Sequence, residues 1–307
     1  MIKNKKFMPA LALMCALLWA LAYPFIKLGY QLFNIEGNDL GSKILFAGLR
    51  FFFAGVLVLL TDRNFKTAVR NMSRKGWRAL LIFTMVNITL HYLFSYTGLG
   101  YIPGSRGTVL DSTSTFITVI LSAIVFSDDR MSGWKALGCL LGFSGILLIN
   151  VNGSRNFFDN ISFMGDGMIL LNAFCGAMGS ITGRFASKYI NMMTATGVSM
   201  CLGGTVLIVI GIIIRPDRAW NFSIEGLLVL SALILISTVS FTVYNSLIAI
   251  YPVSNVAIFN SFIPIFGVIF SSLVLGEPLK ITYLLAGVLA AFGTRLTNKG
   301  SKEKDNI

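Results

Sequence analysis

Two stretches decide the fold: GSRGTVLDSTSTFITVILSAIVFSDDR at 104–130 and SNVAIFNSFIPIFGVIFSSLVLGEPL at 254–279. A displacement of 149 positions lays Asp111 on Asn260, Ser122 on Ser271, Asp128 on Glu277 and Gly138 on Gly287. Each copy runs a long apolar helix into a short acidic corner and then into a glycine-rich helix. A separate displacement of 157 puts Lys27 on Arg184, each closing the first apolar helix of its half. Self-similarity at this scale marks a repeated architecture.

Outward from these stretches, apolar runs occupy approximately 8–29, 43–61, 79–97, 104–126, 133–150, 166–186, 192–214, 226–249, 254–275 and 280–298. The chain of 307 residues is 55% hydrophobic and 12% charged, with a mean hydropathy of +0.76. An average soluble domain is about a quarter charged. Too few charges remain to coat a soluble particle, which excludes disorder and a coiled coil and argues against a soluble enzyme. At about 30 residues per span and loop, roughly ten spans fit. The expected class is an all-α polytopic membrane protein with ten transmembrane helices. Five runs fall in 1–150 and five in 166–307, joined by a polar linker at 151–165 that carries Asn152, Gly153, Asp159 and Asn160. Five is odd, so the second half must lie upside down relative to the first. Inverted repeats of this kind commonly hold a transport site near the bilayer midplane.

The net charge of +12 comes from 25 Lys and Arg against 13 Asp and Glu. Assigning alternate flanks to alternate sides puts seventeen basic residues with the N-terminus, many of them within 63–78. Lys43, Arg106, Arg155, Arg215, Arg218 and Lys280 fall on the other side, and Lys27 and Arg50 within spans. This bias predicts a cytoplasmic (plasma) membrane protein with both termini cytoplasmic, its basic loops facing membrane lipids and not nucleic acid. Lys3, Lys5 and Lys6 ahead of Ala20-Leu21-Ala22 could mimic a signal peptide. The apolar run continues through Phe25 and Ile26, so a retained first helix is expected.

The one histidine, His91, and four cysteines at 15, 139, 175 and 201 offer no C-x-x-C pair and no metal-ligand spacing. No metal, cofactor or disulfide framework is expected, and the thiols read as packing residues. H-E-x-x-H is impossible with one histidine, and G-x-S-x-G is absent. Neither a Walker A motif nor a T-V-G-Y-G filter occurs. An enzyme is not expected, and a gradient, not ATP, is the expected driver.

Trp19-Ala-Leu-Ala-Tyr-Pro-Phe-Ile-Lys27 resembles the W-G-x-x-F-x-x-x-K stretch of the EamA family, within the drug/metabolite transporter superfamily. Arg50-Phe51 is similar to that family's R-F element, and Gly276-Glu277-Pro278-Leu279 to its G-E-P-L corner. The first-half corner departs from that pattern as Ser127-Asp128-Asp129-Arg130, and Ala20 stands where glycine is usual. The resemblance implies a ten-span permease, a secondary carrier of small metabolites that is often an exporter.

Within the spans, polar side chains nominate a site. Arg50, His91 and Asp111 fall at one depth, roughly 10 Å from one end at about 1.5 Å per residue. An unpaired ion there costs on the order of 3 kcal/mol. Arg50 and Asp111 could pair, either as a structural tie between helices or as part of a substrate site. Asp111 and His91 are the candidates for proton coupling, because each can change charge while Arg50 stays positive. His91 also reads as a hydrogen-bonded packing residue. Trp19 and Tyr23 lie one above the other, as do Tyr92 and Tyr96, and Tyr244 precedes Asn245. These rings suit either a cavity or the interfacial belt, and the belt is favoured for Tyr96.

Asn172, Asn245 and Asn260 need partners at depth, a neighbouring helix or a substrate. Asn260 stands at the repeat position of Asp111. Ser112 and Thr115 either line a wet path or bond back to their own helix. Gly138 and Gly142 allow close helix contact, within the bundle more readily than between copies. Pro24 and Pro264 are expected to interrupt their spans and are the hinge candidates. Glu277 is expected to shape its loop. The reading is a secondary transporter working by alternating access on a small-molecule substrate such as an amino acid or related solute. A lipid-translocating protein or channel-like facilitator of the same fold is the alternative.

Overall fold

The computed structural model describes residues 2, 4–150, 161–214, 220, 222–279 and 281–302. Most of the 151–165 linker, with Asn152, Gly153, Arg155, Asp159 and Asn160, lies outside the described residues, as do Arg215, Arg218 and Lys280. Among the described residues, eight helices are long and apolar enough to cross a membrane. They are α1 (Met8–Leu32), α2 (Leu40–Thr61), α3 (Arg74–Leu99) and α4 (Gly104–Val125) in the first part of the chain. Two further helices, α5 (Gly133–Asn150) and α10 (Ile281–Lys302), stand where the fifth and tenth runs were expected. Between them come α6 (Phe163–Ala186), α7 (Met192–Ile214), α8 (Ile224–Ile250) and α9 (Val253–Leu275). No strand occurs among the described residues. The protein is an all-helical, multi-pass membrane protein.

Local chemistry sets the boundaries. Asp39, Ser73, Ser162 and Ser223 each accept a hydrogen bond from a backbone N–H three residues on, capping the starts of α2, α3, α6 and α8. Gly276 closes α9 in the left-handed region at φ 67°, a conformation that glycine adopts without steric cost. Large apolar side chains point outward, among them Leu60, Ile124, Ile213, Ile224 and Leu273. The interior holds large apolar side chains such as Phe46, Phe51 and Phe83 together with many small and polar residues. An apolar exterior of this kind suits a lipid surround.

Packing pairs the helices in a regular way. α2 lies along α7 and α5 along α10, while α1 packs on α8 and α9. α6 packs on α3 and α4, and α4 meets α9. The α2–α7 contact is a glycine seam. A Cβ on Gly48, Gly55, Gly204 or Gly211 would come within 2.5–2.6 Å of a backbone nitrogen of the facing helix. A Cβ on Gly293 of α10 would lie 2.5 Å from the Gly138 carbonyl oxygen and 3.1 Å from Gly142 N, so that motif is used inside the molecule.

Three helices lose regular α geometry near the centre. α3 carries a π segment at Met85–Leu90, α4 breaks between Asp111 and Thr113, and α9 tightens to 3-10 geometry at Ile258–Phe262. The last two interruptions coincide under the displacement of 149. The proline expectations need correction. Pro24 is buried inside an unbroken α1. Pro264 follows the break in α9 and occupies the first turn of the resumed helix, where its missing N–H is not needed.

Candidate functional site

The breaks in α4 and α9 and the π segment of α3 all border one cavity. Such irregular backbone is tolerated at membrane depth where it lines a protein cavity. Of the sequence candidates, Trp19, Tyr23, Arg50, His91, Asp111, Asn245 and Asn260 line it. Tyr92 and Tyr244 line it as well, from α3 and α8.

Arg50, 1% exposed, holds the charged end. Its Nε donates to Ser237 Oγ at 2.7 Å and its Nη1 to Tyr96 Oη at 3.1 Å. The guanidinium also lies 5.0 Å from the Phe51 ring centre and 5.9 Å from that of Tyr92, within cation–π range. Asp111 ends the first segment of α4, where Asn172 Nδ2 donates to its Oδ1 at 2.5 Å. The expected Arg50–Asp111 ion pair is therefore not formed. Each charge is solvated by neutral polar partners, and both face the same space. Tyr96, expected in the interfacial belt, is fully buried and serves Arg50.

A neutral end lies opposite in chemistry. Tyr244 Oη is 3.3 Å from Ser180 Oγ and 3.5 Å from Asn260 Nδ2. Its ring packs edge-on against Trp19 at 4.8 Å, and Trp19 meets Phe241 at 5.3 Å. Asn245 Nδ2 donates to Thr196 Oγ1 at 3.0 Å, so its amide is partly spent on a helix contact. Four buried polar atoms on the cavity wall have no protein partner: Trp19 Nε1, Asn87 Nδ2, His91 Nδ1 and Asn260 Oδ1. An unmet donor or acceptor in a buried wall costs about 1–3 kcal/mol, so this lining is built for a polar occupant. The His91 ring packs on Tyr92 at 4.5 Å, while its Nδ1 goes unpaired.

Ser112, Thr115 and Asn172 do not line the cavity. Ser112 Oγ bonds back to the Val109 carbonyl at 2.6 Å, and Thr115 is buried against neighbouring helices. On α4 the hydroxyls that line it are Ser114 and Thr118, which share a helical face with Asp111. Sequence reasoning saw a hydroxyl-rich helix but not its rotation. Asn172 stands behind Asp111 and orients it. Asn87, Ser95, Gly176 and Ser180 were missed. Asn87 and Ser180, polar residues within apolar runs, carried the same signal as Asn172. Gly176 is small because His91 Cε1 lies 2.9 Å from where its Cβ would be. All four cysteines are free, and no metal-ligating cluster exists among the described residues.

A lipid-exposed helical bundle around an enclosed pocket with charged, amide and aromatic walls is the build of a membrane transporter. The chain belongs to the EamA-like transporter family, which matches residues 6–151 and 163–299. It is 25% identical over 296 residues to the uncharacterized transporter YvbV of Bacillus subtilis (strain 168), covering 93% of this chain and 90% of that one. It is 26% identical to an uncharacterized transporter of Archaeoglobus fulgidus over 283 residues, 92% of this chain and 93% of that one. A solved crystal structure shares the fold with a TM-score of 0.70 at 13% identity, covering 96% of this chain and 98% of its own. Like these relatives, the chain is a transporter and not an enzyme.

Proposed function

We propose that the protein is a secondary carrier that exports small zwitterionic metabolites, such as amino acids or related solutes, by alternating access. Arg50 is the group for the substrate carboxylate and Asp111 for its ammonium or for a coupling proton. One observation carries this reading: a buried guanidinium and a carboxylate face one cavity without pairing with each other. Keeping both unpaired in hydrocarbon is expensive, and a ligand bearing both opposite charges offsets that cost. The rings of Trp19, Tyr23, Tyr92, Phe241 and Tyr244 then enclose the remainder of the substrate.

In this reading the chain has ten spans, residues 1–150 and 166–307 forming inverted five-helix halves. Three observations support it. The family match falls once on each half. The breaks in α4 and α9 coincide under the repeat displacement. The helix pairs α2–α7, α5–α10, α1–α8 with α6–α3, and α1–α9 with α6–α4 exchange under a two-fold that swaps the halves. The membrane is the cytoplasmic membrane, with both termini on the cytoplasmic side. The drive is a proton gradient acting at Asp111, with His91 beside the path.

Counterflow in proteoliposomes tests the carrier. Loading with one unlabelled amino acid and adding it labelled outside should give transient, saturable accumulation. A panel that includes decarboxylated and deaminated analogues locates the two charge contacts, since each analogue should lose competition. Unsaturable flux would indicate a channel-like facilitator, and headgroup movement between leaflets a lipid translocator.

A further inference from the structure

Outside the cavity, the two acidic corners do something that loop-shaping does not cover. Glu277, just past α9, sends its carboxylate across to α4. Its Oε1 accepts from Gly104 N at 2.9 Å and its Oε2 from Ser105 N at 3.1 Å. Asp129, just past α4, sends its carboxylate across to α9. Its Oδ2 accepts from Ser254 N at 3.0 Å, and its Oδ1 accepts from the Ser254 hydroxyl. Under the displacement of 149, Ser105 falls on Ser254. α4 and α9 are antiparallel, so the two contacts sit at opposite ends of the pair. With about 1.5 Å of rise per residue over these helices, roughly 30 Å separates them.

We infer that Asp129 and Glu277 are reciprocal latches, one near each face of the bilayer, which are released in alternation as the cavity changes access. They are positioning residues: neither lines the cavity, yet each holds the leading end of the interrupted helix that carries Asp111 or Asn260. The inference rests on the carrier reading above and adds the parts that open and close.

The two ends are not in the same condition. At the Asp129 end, Lys135 Nζ lies 2.6 Å from Asp129 Oδ1 and 3.1 Å from Ser254 Oγ, and all three residues are at most 3% exposed. Arg184 adds a contact to Asp128 at 2.6 Å. At the Glu277 end the carboxylate is half-buried beside an open groove lined by Lys27, Tyr101, Pro103, Ser105 and Pro278 among others. Both latches are made; the Asp129 latch is buried, while the Glu277 latch borders an open groove. Carboxylate contacts to backbone N–H groups suit repeated opening, because the freed N–H groups and carboxylate can both be taken up by water at the membrane face.

The test places a single cysteine at Ser114, on the cavity wall, in the full chain with Cys15, Cys139, Cys175 and Cys201 replaced. Oriented vesicles are then labelled with a charged, membrane-impermeant thiosulfonate added to one face at a time. Asp129→Asn should raise labelling from the Asp129 face by roughly tenfold, the size expected when a charge-assisted contact is lost from a two-state equilibrium. Glu277→Gln should raise it only from the opposite face. Should Asp129→Asn fail to fold, Ser254→Ala keeps the Lys135–Asp129 pair and should give the same one-sided rise at smaller size. Equal changes from both faces, or no change in reactive protein, overturn the latches and leave the carrier standing. A Ser114 cysteine unreactive from both faces in every variant removes the solvated cavity, and with it both readings.

Discussion

Replacing Arg50 separates a structural tie from a substrate contact, and the structure fixes what each outcome should cost. Arg50→Met removes a guanidinium that is 1% exposed and keeps most of its volume. The Ser237 hydroxyl loses one partner but still donates to the Leu233 carbonyl at 2.9 Å. Tyr96 Oη, fully buried, loses its Arg50 donor. One orphaned hydroxyl costs about 1–3 kcal/mol. Against that stands relief of the desolvation penalty on a buried ion without a counter-ion, several kcal/mol in real proteins. The double variant Arg50→Met/Tyr96→Phe removes both partners at once, and such paired replacements are close to neutral or stabilising. We therefore expect its thermal midpoint in detergent to equal or exceed that of the parent. Transport should behave differently. A buried charge contact to a ligand is worth about 2–5 kcal/mol, or roughly 30-fold to several-thousand-fold in affinity. Paired measurements decide it: nanoscale thermal unfolding without substrate, and counterflow with the amino acid that scores best in the parent. A large fall in midpoint with counterflow retained would make Arg50 a fold element and refute the argument.

Other substitutions probe the remaining groups. Asp111→Asn keeps an oxygen for Asn172 Nδ2, so insertion and unfolding midpoint should hold while gradient-driven uptake in pH-jumped vesicles is lost and one-for-one exchange persists. Ser112→Ala should leave transport within about twofold, since a hydroxyl bonded back to its own helix is replaceable, whereas Ser114→Leu should block it by filling the wall; initial uptake rates compare the two. Gly204→Leu drives a side chain into the α2 backbone, where even a Cβ would lie 2.5 Å from Phe52 N; overpacking of about 1–3 kcal/mol or more should lower the unfolding midpoint. Gly176→Ala presses on the His91 ring and should raise KM more than it lowers kcat, read from concentration-dependent counterflow.

The apolar runs located the helices well because lipid demands long hydrophobic segments regardless of what surrounds them. Most boundaries fall within a few residues of the runs, and the sixth helix begins at Phe163, three residues ahead of the expected start. Seven of the ten lining candidates, each a polar or aromatic side chain within an apolar run, reach the cavity. Two things were hidden. The first is helix rotation, which put Ser114 and Thr118 on the wall in place of Ser112 and Thr115. Ser114 and Thr118 follow Asp111 at ordinary helical spacing, but which face of α4 turns inward is set by packing against the neighbouring helices. The second is pairing across the bundle. Arg50 found hydroxyls on α3 and α8, not the carboxylate at its own depth, because which helix neighbours which is a property of the packing and not of any one segment.

In the inverted-repeat reading proposed above, two halves of identical chemistry would make the states open to either face equal in energy, since a two-fold relating such halves would also exchange the faces. A bias must come from side chains that break the equivalence. The cavity holds one such break, Asp111 against Asn260, so a proton or ammonium arriving there acts on α4 and leaves α9 uncharged. The corners hold another. Asp129 has Lys135 as a buried ion partner, and the repeat places Leu284 at the position of Lys135 on the Glu277 side. Arg184 engages Asp128 directly, while its repeat counterpart Lys27 shares an open groove with Glu277. More bonds hold the Asp129 end, and the contacts at both corners are formed. In the proposed carrier the Asp129 end is therefore the harder of the two to release, and substrate or proton binding at Asp111 would supply what opens it.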